Sequence, residues 1–131
     1  MRLILAQLDF AVGAVQANLE RLRSGCSEAA LGNQDLILFP ELTLAGYPPD
    51  DLLLRPGFLS RCEAAVAQIE GWGLPGHVLV GHPWHVGETL YNALSCWHDG
   101  GLQLRYLKQA LPNYAVFDEK RYFSCGEQVG L

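Results

Sequence analysis

The sequence of 131 residues predicts an α/β fold, a sheet with helices packed against it, on three observations. Short apolar runs alternate with segments whose apolar residues recur at steps of three and four. Gly and Pro clusters punctuate the boundaries between them. Two further β-like runs are joined by Asp99-Gly100-Gly101, a hairpin signal. The order strand, helix, strand, helix, strand, hairpin is that of a sheet carrying helices.

Leu3 to Leu8 reads as a buried strand, followed by a loop from Asp9 to Gly13. Val15, Leu19, Leu22, Cys26 and Ala29 then mark one face of a helix, which Gly32-Asn33 stops. Leu36 to Phe39 is wholly apolar, as a strand covered on both faces would be, and Pro40 ends it. Four prolines between Pro40 and Gly57 make that stretch mostly loop, with room for a helical turn at Asp50 to Leu54. A second amphipathic helix runs from Phe58 to Ile69, with Cys62, Ala65 and Val66 on the same side. Val78 to Val80 is a third buried strand, and Asn92–Trp97 and Leu102–Leu107 form the hairpin. The tail from Ser124 to Leu131 reads as loop. No repeat or linker divides the chain, so residues 1–131 are read as part of one domain.

Composition narrows the function classes. Half of the residues are hydrophobic and 18% charged, which excludes intrinsic disorder. The formal charge of -5, with nine scattered basic residues, argues against nucleic acid as a partner. No apolar run has the roughly 18 residues a membrane-spanning helix needs. Gln7 and Asp9 break the apolar start too early for a signal peptide. Cys26, Cys62, Cys96 and Cys125 lie far apart with no CxxC pair, so reduced thiols and a cytoplasmic location are expected.

Several residues could carry chemistry. Glu41 directly follows the strand Leu36–Phe39, and ligands of open α/β sheets gather at the carboxyl ends of strands. A carboxylate there can act as a general base, although a solvated loop glutamate would look the same by position alone. Lys108 ends the last strand, where an ammonium can stabilise an oxyanion or simply face water. Glu119 could pair with it or cap a short helix. Tyr47, Tyr114 and Trp84 could line a pocket or belong to the core. His82 and His85 are three apart, but Pro83 between them opposes a helix and no acid or thiol ligand is near in sequence, so no metal is expected. No GxGxxG, Walker A or GxSxG pattern occurs.

Two long strings then resemble known motifs. Phe39-Pro40-Glu41-Leu42-Thr43-Leu44-Ala45-Gly46-Tyr47-Pro48-Pro49-Asp50-Asp51-Leu52-Leu53 resembles the first catalytic motif of the nitrilase superfamily of C-N hydrolases, and Lys108 to Phe123 resembles the second. Gly46 to Leu53 and Leu111-Pro112-Asn113-Tyr114 with Arg121-Tyr122-Phe123 look like the amino-terminal glutaminase domain of the glutamine-dependent NAD+ synthetases. The opening Leu5 to Phe10, with Gly13 and Asn18, matches as well, so the resemblance covers the whole chain.

The resemblance implies the first half of a four-layer αββα sandwich with a Glu-Lys-Cys triad. Glu41 would be the general base, Lys108 the oxyanion-stabilising ammonium and Glu119 the second acid beside it. Tyr47 and Tyr114 would shape the glutamine pocket and the mouth of an ammonia path. The implied activity is release of ammonia from glutamine for ATP-dependent amidation of deamido-NAD+. The implied partners are glutamine, further copies of the chain and a synthetase domain. ATP and Mg2+ would belong to that domain, whose residues are not in this sequence, and no cofactor is expected in this segment.

The departures matter as much. The family nucleophile follows a further strand after the lysine motif, and the sequence stops before one. Cys125 sits in a Gly-flanked loop that the family does not use for this purpose. A complete sandwich domain runs to about 250 residues. A chain inactive by itself is therefore expected. Another nitrilase-type amidase and a non-catalytic interaction module are the competing readings.

Overall fold

The computed structural model describes residues 1–127; the end of the loop-like tail, Gln128 to Leu131, lies outside the described residues. Five strands form one sheet in the order β1 (Leu3–Leu5), β2 (Leu36–Leu38), β3 (His77–Val86), β4 (Thr89–His98) and β5 (Gly101–Leu107). Helix α1 (Val15–Ala29) links β1 to β2 and α2 (Pro56–Glu70) links β2 to β3, so these strands run parallel. The last three strands follow one another antiparallel. The α/β class stands as the sequence predicted it.

The helices form where the apolar stripes lie. Val15, Leu19, Leu22 and Cys26 are all buried, and α1 ends at Ala30, whose φ of 45° turns the chain out of the helix. Helix α2 begins two residues before Phe58, with Pro56 in the first turn, where a missing N–H leaves no helical bond unmade.

Three strand expectations need correcting. The first strand stops at Leu5 rather than Leu8. Ala6 N–H still reaches Leu38 O (2.9 Å), but Gln7 and Leu8 N–H then bond back to Leu5 O and Ala6 O (both 3.1 Å), which pulls the chain off the sheet. It is not buried either, since Leu3 and Leu5 are 64% and 68% exposed. In β2 only Ile37 is buried, and Leu36 and Leu38 are half-buried, so one face is uncovered. The third strand runs far beyond Val80, to Val86, and turns through Gly87-Glu88 into β4, a hairpin the sequence reading missed. The extension contains Pro83, which has no N–H to give to a ladder. Beyond Leu79, however, β3 pairs with β4 alone, so Pro83 lies where one side of the strand has no ladder to break.

Pleating gives the sheet two unlike faces. Ile37, Val78, Val80 and Trp97 point to the helices and join Leu19, Leu22, Phe58, Cys62, Val66 and Ile69 in the core. The opposite face carries Leu3, Leu5, Leu36, Leu38, Leu79, Leu94 and Leu104, none of them in that core.

Candidate active site

Glu41 is delivered by the end of β2. Phe39 N–H donates to Leu79 O (3.0 Å), and Pro40 then lifts the chain across the open face of the sheet. A tight turn follows. Thr43 Oγ1 donates to Pro40 O (2.5 Å), Leu42 takes a φ of 50°, and Gly46 N–H donates to Leu42 O (2.9 Å). That turn passes directly over Gly81. A Cβ on Gly81 would lie 2.6 Å from Leu42 N and 3.0 Å from Glu41 Cα, so β3 needs glycine there.

Lys108 follows β5 and is fixed through its backbone. Its N–H donates to Asn92 O (2.9 Å) and its carbonyl accepts from Gly126 N–H (2.9 Å). Glu119 opens a short 3-10 turn, Glu119–Arg121, with its N–H donating to Pro112 O (3.2 Å).

These three elements converge on one ammonium. Lys108 Nζ donates to Glu41 Oε1 (2.6 Å) and to Glu119 Oε1 (3.0 Å), and Asn92 Nδ2 donates to the same Glu41 oxygen (2.7 Å). Burial works against the Lys108 charge, but the hydrogen bonds and negative charges of Glu41 and Glu119 outweigh it and raise its pKa. Two of the three ammonium donors are thus occupied among the described residues, and the third can serve a ligand oxygen. Glu119 is buried and its Oε2 has no partner among the described residues. The Glu41–Lys108 pair borders a hollow of about 420 Å³ floored by Leu38, Gly81, Leu94 and Tyr106. A charged, positioned ammonium beside a carboxylate can stabilise a developing oxyanion while the carboxylate moves a proton.

The tyrosines part company. Tyr47 lines a cavity of about 370 Å³ together with Glu119, Asp50 and Asp118; burial first, then the charges of Glu41 and Glu119, raise its pKa. Tyr114 is 68% exposed and lines a separate hollow with Lys120 and Cys125. Asn92 and Gly81 were missed by sequence reasoning. Their signals were an asparagine and a glycine inside strands, residue types that strands disfavour.

Among the described residues, no thiol lines the hollow beside Glu41 and Lys108. Cys26 and Cys62 are buried, and burial pushes each up to about 12, far from a reactive thiolate. Cys96 is raised by burial as well, and Cys125 is exposed on the Tyr114 hollow. His82 faces Ser95 Oγ (2.8 Å), while His85 Nδ1 meets Glu63 (2.7 Å), so the two histidines have different partners. Among the described residues no three His, Cys, Asp or Glu side chains converge as metal ligands, and no helix is long and apolar enough to cross a membrane.

Comparison with known proteins bears on this cluster. No protein-family model matches the chain. It is 48% identical over 124 residues to a glutamine-dependent NAD(+) synthetase of Xanthomonas campestris pv. campestris, covering 94% of this chain and 22% of the relative. With the Aquifex aeolicus synthetase it shares 46% identity over 130 residues, 98% of this chain and 23% of the relative. Among solved structures, the glutamine-dependent NAD+ synthetase from Acinetobacter baumannii superposes with a TM-score of 0.89 at 36% identity, over 96% of this chain and 24% of that one. A nitrilase-superfamily amidase from Nesterenkonia superposes with a TM-score of 0.80 at 23% identity, over 96% of this chain and 48% of that one. The chain spans less than a quarter of the length of the curated relatives it matches. Its sequence is similar to part of the synthetases, and its fold to part of a synthetase and of an amidase alike.

Proposed function

We propose that the chain contributes the carboxylate and ammonium of a glutamine-hydrolysing amidase site, which supplies ammonia to a synthetase that amidates deamido-NAD+. The observation that carries this reading is the Lys108 ammonium held between Glu41 and Glu119, residues drawn from three separate elements. In the reaction, a cysteine thiol from outside the described residues gives its proton to Glu41 and attacks the glutamine carboxamide carbon. Lys108 stabilises the resulting oxyanion, and Glu119 keeps that ammonium charged and aimed. Glu41 returns the proton to the leaving nitrogen, ammonia departs and a thioester remains. Water, deprotonated by Glu41, then cleaves the thioester to glutamate and restores the thiol. Glutamine and water become glutamate and ammonia, with no net proton change at the site. ATP and Mg2+ enter only at a synthetase domain, so this chain's residues need hold neither.

The test is ammonia release from glutamine. The 131-residue chain alone should release none, and a longer protein continuing through a cysteine-bearing strand should. In that longer protein Glu41→Gln and Lys108→Met should each lower kcat by about 10²–10³-fold or more. Turnover by the short chain that Cys125→Ala abolishes would sink the proposal. Hydrolysis by the long protein without NAD formation from ATP and deamido-NAD+ would favour a different amidase.

A further inference from the structure

Asn92 stands in β4, the middle strand of the antiparallel trio. On one side it pairs with Pro83 of β3, and on the other its carbonyl accepts the Lys108 N–H (2.9 Å). Its side chain is 3% exposed, and its Nδ2 donates to Glu41 Oε1 (2.7 Å). An ionised carboxylate accepts and cannot donate, so the amide nitrogen rather than the amide oxygen has to meet it. One strand residue therefore ties down both halves of the carboxylate–ammonium pair, Glu41 through its side chain and Lys108 through its backbone. Strands disfavour asparagine, and a buried amide costs free energy unless it is hydrogen-bonded. The bond to Glu41 is what makes this residue type suit this position.

We infer that Asn92 is a positioning residue for Glu41, fixing the carboxylate so that Oε2 is the oxygen that takes and returns the thiol proton. The inference rests on the amidase reading above. Lys108 Nζ (2.6 Å) and Asn92 Nδ2 both meet Oε1, which fills the two lone-pair sites of that oxygen. Lys108 does not suffice as the anchor. Its ammonium is shared with Glu119 (3.0 Å) and is drawn towards the oxyanion at the moment the proton moves. The Asn92 amide carries no charge and stands on a strand paired on both sides, so it stays in place when the ammonium shifts. In the attack, the Sγ proton passes to Glu41 Oε2, the sulfur pair bonds the carboxamide carbon, and the C=O π pair moves onto the oxygen beside Lys108. On collapse the C–N bond breaks, the proton goes from Oε2 to the leaving nitrogen, and ammonia departs. Asn92 is unchanged throughout. Without its amide, the carboxylate is free to turn about its last side-chain bond, a torsion with only a shallow preference, and Oε2 leaves its line.

A double-mutant cycle tests this, run by ammonia release from glutamine in the longer protein that continues through a cysteine-bearing strand. Asn92→Leu keeps the size of the side chain and removes the donor. It should lower kcat about 10–100-fold and leave KM for glutamine within about two-fold, as loss of a bond to a charged group acting only in the reaction would. Added to Glu41→Ala, the same substitution should change kcat by less than about two-fold, because nothing remains for Asn92 to position. If Asn92→Leu fails to fold, Asn92→Ser, polar but one group too short to reach Glu41, should reproduce both results. A full repeat of the Asn92→Leu loss in the Glu41→Ala background overturns the inference, since the residue would then act on the fold and not through Glu41. So does a rise in KM with kcat unchanged. A protein crippled by Glu41→Ala but indifferent to Asn92→Leu overturns this inference alone, whereas one indifferent to Glu41→Ala overturns the amidase reading with it.

Discussion

The two faces of the sheet are built from nearly the same residues and end in opposite situations. Ile37 and Val80, on the helix side, are 1% and 0% exposed, whereas Leu3 and Leu5, with equally apolar side chains, stand in solvent. A strand records how apolar its two faces are; it does not record which face its own chain covers. Leu36-Ile37-Leu38 was read as doubly covered for this reason, and the structure covers it once. The site sits at the junction of the two regimes, where the Glu41 turn is the part of the chain that crosses the open face.

The largest effect should separate the faces directly. Leu22→Ala in α1 removes a fully buried side chain from the helix-side core and should cost about 2–5 kcal/mol in urea unfolding. Leu5→Ala should stay within about 0.5 kcal/mol, as exposed positions do. Equal costs at the two sites would mean that Leu5 is packed as tightly as the helix-side core.

A smaller effect is expected where the faces meet. Gly81→Ala places a methyl 2.6 Å from Leu42 N, backbone that cannot swing aside, and such overpacking costs about 1–3 kcal/mol. Because the displaced segment carries Glu41, the Glu41–Lys108 contact should lengthen, read as loss of the hydrogen-bonded Lys108 ammonium signal by NMR. A stable variant with that signal intact would show that Gly81 does not set the Glu41 turn.

Much of this was legible in the sequence, for identifiable reasons. Helices α1 and α2 announced themselves because a half-buried helix must repeat its apolar residues every three or four positions. Glu41 and Lys108 were legible as strand-end residues, and the motif strings tied them together. The β3–β4 hairpin was not, because Pro83, His82 and His85 disguised a strand that is paired on one side only beyond Leu79. Asn92 was invisible as a partner of Glu41, since the two are 51 residues apart and meet only when β4 lies beside the β2 exit. The separation of Tyr47 from Tyr114 depends likewise on the path of the loop after Lys108, which has no periodicity to read.

The smallest effect concerns what holds β1 in place when one of its faces buries nothing. Arg2 and Asp35 join the starts of β1 and β2: Arg2 N–H donates to Asp35 Oδ1 (2.9 Å) and its guanidinium donates twice to Oδ2 (2.9 and 2.5 Å). The Arg2 side-chain bonds, then the backbone N–H groups of Gly32 and Arg2, hold the Asp35 carboxyl well below the usual carboxylate range. A carboxyl depressed in the folded state binds its proton more readily when unfolded, so stability rises with pH through this window. The contribution is complete well above the unfolded value near 4 and is lost progressively as the pH falls from about 5 towards the lower folded value. The urea midpoint should therefore drop more between pH 5 and pH 3 in the unmodified chain than in Asp35→Asn, where no proton can be taken up. If the two acid slopes coincide, β1 is held by its backbone pairing with β2, and the ion pair is only a surface decoration of that edge.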